Sequence, residues 1–544
     1  MASPWLWAFL VMAVVLAGGD PLALQADPLG EGSNHLWMFW RALERMGGRT
    51  GALANVPVGL QLPLMDPVNL PAFSALGWVH PALGWRAMEA WNVGLAMAGC
   101  YALARPFTSQ SGAVVAMVAG GSAPFLAGVM DFGITESWPL GWFGLHAACL
   151  VRYSREGDVR HAIVAGLCLG MVALSGWYHA VYGLGFELVW VPALLWRSRR
   201  LGLLWQGGLA LVMTLPSLWA FLPVRGQWAP RLRWPAPGPP GPRPDWAELP
   251  VFGADLLTFV VPHPAAVHPS KSTYLGLVVL VLAVVGVVRR RSARWLVLGA
   301  VPFLVLALGY WPTVGGVAMG VPGPARALVH AVPALLGMSH WQRAVGPAVV
   351  LLAAAAGVGA GPWVRRHPAV LALVCSALMM DGIWGGGTAW PRTVAPLELP
   401  ASLAAVAEPG GLLQIPFDNG RRPFTDEPPR LYQQWQVIHG RAISENYEGV
   451  DVLLDTVPTV AFIDEACSVA TTLPPYYQPR PEMRGQGEPT DLPGDLAGLR
   501  AAGLRWLVLH RDRCRTPAKA IRRIEGMLGP RRDLPGGDAL WDLQ

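Results

Sequence analysis

Of 544 residues, 53% are apolar and only 14% are charged, where soluble domains carry about 25% charged residues. That balance excludes a chain built wholly of soluble domains and points to a polytopic membrane protein. The formal charge of +6 is no nucleic-acid footprint, because Lys occurs only at Lys271 and Lys519 and the Arg residues cluster between apolar runs.

Taken in order, runs apolar enough to span a bilayer fall at 4–18, 86–104, 111–130, 134–151, 161–175, 180–196, 201–222, 274–288, 295–310, 344–358 and 369–384. The 26 Trp suit the aromatic belts of such a protein. Alternate connections hold Arg105, then Arg152, Arg155 and Arg160, then Arg197, Arg199 and Arg200. The next two hold Arg289, Arg290, Arg291 and Arg294, then Arg365 and Arg366. The positive-inside rule turns these toward the cytoplasm. The expectation is a polytopic α-helical protein of about eleven transmembrane helices over residues 1–388, in the inner (plasma) membrane of a bacterium. Its N-terminus is then cytoplasmic. A cleavable signal peptide over residues 1–26 competes with this reading, but no basic residue precedes the apolar stretch and a retained anchor is preferred.

Three regions then face outward: 19–85, 223–273, and everything after 388. In the first, Leu36, Phe39, Trp40, Leu43 and Met46 recur at helical spacing, which predicts an amphipathic helix lying on the membrane surface. In the last, 412–416 and 504–510 read as buried strands and 518–528 as a helix. These predict a C-terminal soluble α/β domain over 389–544, periplasmic or extracytoplasmic. Cys467 and Cys514 both lie in it, and an oxidising envelope predicts a disulfide between them.

Chemistry-bearing residues gather in the outer connections. Asp20 and Asp27 follow the first run, and Asp131 and Glu136 flank a short turn between two later ones. Asp27, Asp131 and Glu136 are candidate oxygen ligands of a divalent cation, magnesium or manganese, or bind substrate hydroxyls, for which Asp131 is a candidate contact. Trp177, Tyr178 and His179 form another short turn and are candidate substrate contacts. Lys271 and Arg343 are candidate partners for a lipid phosphate. There is no G-x-G-x-x-G after a strand, no P-loop and no serine elbow, so a nucleotide-sugar site is unsupported.

The order NHLWMFWRAL (34–43), PVG (57–59), DPVN (66–69), ESWPLGW (136–142), GWYHAVYG (176–183) and TYLGLVVL (273–280) carries a family resemblance. So do LLQIPFDNG (412–420), YQQWQVIHGRAISENYEG (432–449) and LRWLVLH (504–510) near the end. With these motifs the chain resembles the polytopic bacterial proteins of the GT-C glycosyltransferase class, especially YfhO-type and related integral membrane proteins. The resemblance implies transfer of a sugar from a polyprenyl-phosphate carrier to a glycan, lipid or protein acceptor on the outer membrane face. It implies an acid of the first outer loop at the reaction centre, which makes Asp27, with Asp20 as its rival, the expected base. Glu136, by its place in the short turn before Ser-Trp-Pro, is a further candidate catalytic carboxylate. Two alternatives stand beside this enzyme: a non-catalytic scaffold that keeps the fold, and a lipid-linked glycan transporter. A transporter needs ionisable groups inside the spans, for which Glu187, His146 and Asp381 are the candidates.

Overall fold

The structure is a computed structural model. It describes residues 4–16, 32–48, 66–196, 201–216, 253–262, 273–332, 335, 338, 340–385, 397–415, 431–439, 441, 458–467, 491–512, 514 and 516–543. Two compact units divide the chain. The first comprises Met1–Gly19, Pro63–Leu76 and Leu83–Thr393, and the second Asp20–Leu62, Gly77–Ala82 and Val394–Gln544.

The helices up to residue 385 begin with α1 (Pro4–Leu16), α2 (Gly32–Met46), α3 (Leu70–Gly77), α4 (Pro81–Ala104), α5 (Gln110–Gly121) and α6 (Pro124–Asp131). They continue with α7 (Leu140–Glu156), α8 (Val159–Leu174), α9 (Trp177–Trp196) and α10 (Leu201–Pro216). The rest are α11 (Leu277–Arg289), α12 (Arg291–Ala307), α13 (Pro324–Ala331), α14 (Val345–Val364) and α15 (Pro368–Gly385). All but α2 belong wholly or mainly to the first unit.

Among the described residues, three stretches are long and apolar enough to cross a membrane: Gln110–Asp131, Trp341–Val364 and Pro368–Gly385. Others expected to span form shorter apolar helices, among them α8, α10 and α11. At 1.5 Å per residue the 13 residues of α11 reach about 20 Å, short of a bilayer core of about 30 Å. The run 111–130, read as one span, is interrupted between α5 and α6 at Ser122 and Ala123. Pro124 opens the second piece, where it has no amide hydrogen to offer the turn before it.

Helix α14 is the column of this unit. Its Ala- and Gly-rich sequence buries nearly every residue and packs against α5, α7, α11 and α12. Small residues make that possible, since apolar helices in lipid associate through close backbone contact rather than through expulsion of water. A methyl on Gly357 would stand 2.5 Å from the Gly112 carbonyl oxygen of α5. One on Gly359 would stand 2.1 Å from the Leu282 carbonyl oxygen of α11. Helices α4 and α7 meet in the same way at Gly99, Gly141 and Gly144.

The second unit contains a four-stranded sheet of β3 (Gly411–Ile415), β4 (Leu504–Leu509), β6 (Ala539–Asp542) and β5 (Arg532–Asp533) in that spatial order. The two-residue strands β1 (Thr313–Val314) and β2 (Val317–Ala318) form a separate hairpin in the first unit. Strands β3 and β4 pair in parallel, and β6 runs antiparallel to β4 and β5. All five residues of β3 are buried, as befits a strand covered on both faces. Leu413, Ile415, Leu507, Leu509 and Trp541 form the core with Val460, Ile463, Ala520 and Ile524 from the helices Pro458–Cys467 and Pro517–Leu528. A disulfide joins Cys467 to Cys514.

Helix α2 departs from expectation. Its apolar face is covered by protein, with 11 of its 15 residues buried. It packs on the helix Leu431–His439, where the Trp37 indole donates to the Gln436 amide oxygen over 2.6 Å. The amphipathic period was read correctly as a helix, but a protein surface rather than a lipid surface meets its apolar side.

The same unit is expected to weaken in acid. Burial, helped by the nearby Arg441 guanidinium, pushes the His439 imidazole down to about 4. Burial raises the Asp538 carboxyl, but the hydrogen bond and charge of His510, with hydrogen bonds from Ser402 and the Arg511 amide, together hold the group below its ordinary range. Both folded values are depressed, so protons bind the unfolded chain first and stability falls as pH falls. The His439 contribution is lost between about pH 6.5 and 4, and that of Asp538 below about pH 4. Denaturation of the full chain followed by tryptophan fluorescence at pH 7.5, 5 and 3.5 checks this, and a flat profile would refute it.

Candidate functional site

The first unit places a polar cluster at the N-terminal ends of α7, α9 and α14. Glu136 sits in the single turn Thr135–Ser137 ahead of α7, and Arg343 in the turn Trp341–Ala344 ahead of α14. The Glu136 turn cannot continue α6, because Gly133 between them has φ +72°. Arg343 Nη1 donates to Glu136 Oε1 over 2.5 Å, with both side chains buried. The Arg343 guanidinium also lies 4.9 Å from the centre of the Tyr178 ring. The Tyr178 hydroxyl is 3.5 Å from His340 Nδ1.

Gly176 makes this juxtaposition possible. A methyl there would meet the Glu136 Cβ at 3.2 Å and the His179 Cδ2 at 3.7 Å. His179 is buried and packs edge-on against Tyr182 at 5.8 Å between centroids. Neither His179 Nε2 nor the Tyr182 hydroxyl finds a hydrogen-bond partner among the described residues. Buried polar atoms left in that state mark a place where a polar ligand gains on binding.

A second layer holds the Glu136 turn. Asn69 donates to Asp66 Oδ2 over 3.0 Å and to the Thr135 carbonyl over 3.1 Å. Asn92 of α4 in turn donates to Asn69 Oδ1 over 2.8 Å. Glu89, fully buried one turn earlier in α4, lies 3.6 Å from Arg86. The DPVN motif therefore braces the turn that carries Glu136.

Of the residues singled out from sequence, Glu136, Tyr178, His179 and Arg343 come together here. Asp131 is buried at the end of α6. Trp177 is half-exposed, with its ring 4.5 Å from that of Tyr178. Asp20, Asp27 and Lys271 lie outside the described residues. His179 belongs to the first turn of α9 rather than to a connecting turn. Sequence reasoning missed His340, Asn92 and Glu89. A carboxylate inside the apolar run 86–104 was the available signal for the last.

Of the candidate ligands of a divalent cation, Asp27 lies outside the described residues. Glu136 already gives Oε1 to a guanidinium, and among the described residues no three His, Cys, Asp or Glu side chains are grouped to hold a metal. The acids a transporter would need are engaged with protein. His146 Nε2 meets Glu187 Oε1 at 2.6 Å. Asp381 accepts from the Tyr274 hydroxyl at 2.8 Å and from the Val278 amide at 2.9 Å, where it caps α11.

No protein-family model matches the sequence, and no curated protein resembles it in sequence. Solved structures do match in fold. The mycobacterial arabinofuranosyltransferase AftD superposes with a TM-score of 0.57 at 15% identity over 99% of this chain and 40% of its own. ArnT from Cupriavidus metallidurans in its apo state superposes with a TM-score of 0.54 at 12% identity, over 99% of this chain and 97% of its own. The chain thus spans about 40% of the length of AftD and nearly all of ArnT. The fold is GT-C-like, that of polytopic membrane glycosyltransferases.

Proposed function

We propose that this GT-C-like chain is a cell-envelope glycosyltransferase that moves a sugar from a polyprenyl-phosphate carrier to an acceptor on the outer face of the membrane. The observation that carries the reading is the buried Glu136–Arg343 pair beside Tyr178, built on that frame. A bacterial inner-membrane location, with the N-terminus cytoplasmic and residues 389–544 as an extracytoplasmic domain, follows from the same reading.

In the transfer, an acceptor hydroxyl oxygen bonds to the anomeric carbon of the sugar while the bond from that carbon to the phosphate oxygen breaks. The hydroxyl proton passes to a carboxylate, assigned to Asp27 with Asp20 as the alternative. Polyprenyl phosphate departs with the bonding electrons and gains negative charge. Arg343 answers that charge, joined by Lys271 from the second outer loop. Glu136 fixes the guanidinium before substrate arrives, so no reorganisation is needed when the charge develops. Asp131, Trp177, Tyr178 and His179 position the sugar, with aromatic faces against its ring and polar atoms on its hydroxyls. No step is routed through a metal ion.

Asp27→Asn should lower transfer of radiolabelled sugar from polyprenyl phosphate by at least about 100-fold, the usual contribution of a positioned base. Full transfer by both the Asp27→Asn and Asp20→Asn proteins would remove these acids as the base, and absence of transfer by the unaltered protein would remove the enzyme reading. A non-catalytic scaffold would then take its place, favoured by the fact that Glu136 is engaged by Arg343.

A further inference from the structure

The far end of α14 holds a second charged site. Its 20 residues span about 30 Å, so the end near Val364 lies that far from the Arg343 turn. A cavity of about 360 Å³ opens there, lined by Arg105, Arg290 and Arg365 together with Thr108 and Ser109. We propose that this cavity binds the phosphate of an anionic phospholipid headgroup, with the acyl chains lying along α11.

The three arginines come from three separate places: the residue after α4, the junction of α11 and α12, and the residue after α14. No acid lines the cavity. Neighbouring arginines are engaged by other protein groups, and Pro106 and Phe107, which hold Arg155, also line the cavity. Arg155 donates to the Pro106 carbonyl over 2.9 Å and lies over the Phe107 ring. Arg289 lies 4.7 Å over the Trp363 ring, and Arg294 donates to the Val287 carbonyl over 2.8 Å. Arg105 has a contact of 3.3 Å with the Thr108 carbonyl. Among the described residues none of the three cavity arginines is paired with a carboxylate. A phosphate offers several acceptor oxygens to the guanidinium groups that line one cavity.

Rigid packing holds the cavity wall in place. Thr108 Oγ1 bonds to the Gly357 carbonyl at 3.4 Å. A methyl on Gly361 would stand 2.1 Å from that same hydroxyl oxygen. Ser109 caps α5 by accepting from the Gly112 amide, so the positive end of that helix borders the cavity.

The choice of a lipid over a free phosphate rests on α11. Leu277, Val281, Val284 and Val288 are each more than half exposed and follow one another at helical spacing. This apolar stripe runs to within two residues of Arg290, giving acyl chains a path that starts at the headgroup. Basic pockets between transmembrane helices on the cytoplasmic side are suited to anionic headgroups. The proposal does not depend on the transferase reading.

The test uses purified full-length protein in detergent, with native mass spectrometry counting retained lipid after addition of dioleoyl phosphatidylglycerol or dioleoyl phosphatidylcholine. Phosphatidylglycerol should be retained at least tenfold more than phosphatidylcholine. The combined variant Arg105→Gln, Arg290→Gln, Arg365→Gln should lose that preference, while Arg366→Gln, beside the cavity but outside its lining, should keep it. Should the combined variant fold poorly, Arg365→Gln alone should weaken retention several-fold. Equal retention of both lipids, or equal loss with Arg366→Gln, overturns the proposal. So does competition by millimolar inorganic phosphate in the absence of any lipid preference, which would mean an ion site only.

Discussion

Arg343→Gln is expected to destabilise the helical unit by about 3–5 kcal/mol, the loss typical when one member of a buried ion pair is removed. The variant leaves the Glu136 carboxylate in a site where both side chains are almost wholly covered, and a buried charge without its partner must either be desolvated at great cost or take up a proton. Adding Glu136→Gln should recover most of the loss, because two neutral amides of similar size can bond to each other. The pattern separates two roles. If the pair only holds α7 and α14 together, the double variant should regain transfer along with stability. If Arg343 meets the leaving phosphate, the double variant should fold and still lack transfer by at least about 100-fold, since the charge-stabilising group is gone. Unfolding of the full chain in mixed micelles, with transfer measured on the same preparations, reads both quantities. A single-variant loss under about 1 kcal/mol would mean that the pair is solvated like a surface bridge, and the burial argument would fail.

Replacing Cys467 and Cys514 by Ser should weaken the second unit by about 4 kcal/mol. The bridge closes a loop of 47 residues, and the chain-entropy relation gives about that figure for a loop of this length at 25 °C. Both residues are buried in the core with Leu413, Ile463 and Ala520, so the hydroxyls of the variant add a desolvation cost of their own. The Cys467→Ala, Cys514→Ala pair isolates the loop contribution from that cost. Amide hydrogen exchange over β4 and β6 under increasing denaturant, with and without reductant, should show a reductant-sensitive transition in the parent and an insensitive, lower one in both variants. A parent transition indifferent to reductant at saturating concentration would refute the expectation.

Much of the architecture was readable locally. The strands expected at 412–416 and 504–510 lie within a residue of β3 and β4, because both are short, mostly apolar runs that follow a glycine, with Pro416 closing the first. The helix predicted at 518–528 is Pro517–Leu528, where a 3.6-residue period marks one buried face. Strand β6 was not anticipated, since Ala539–Asp542 is four residues long and its antiparallel partner lies 30 residues back. The interfacial role assigned to α2 failed for a different reason. An amphipathic period states that one face is apolar and says nothing about what covers it.

The candidate site divides along the same line. Glu136, Tyr178, His179 and Arg343 stood out by residue type and by their places next to apolar runs. Their convergence did not, nor did His340 or the Asp66–Asn69–Asn92 brace.

Sequence alone determined that this chain is a membrane protein and where its apolar runs, its central strands and the acids between the runs fall, because composition and hydrophobic period are local properties. Only the tertiary structure decided that Arg343 meets Glu136, 207 residues away, and that Trp37 meets Gln436, 399 residues away. The first pair depends on how closely α14 packs on α5, α7 and α11, which is set by glycine and alanine contacts between backbones rather than by any pattern along one segment.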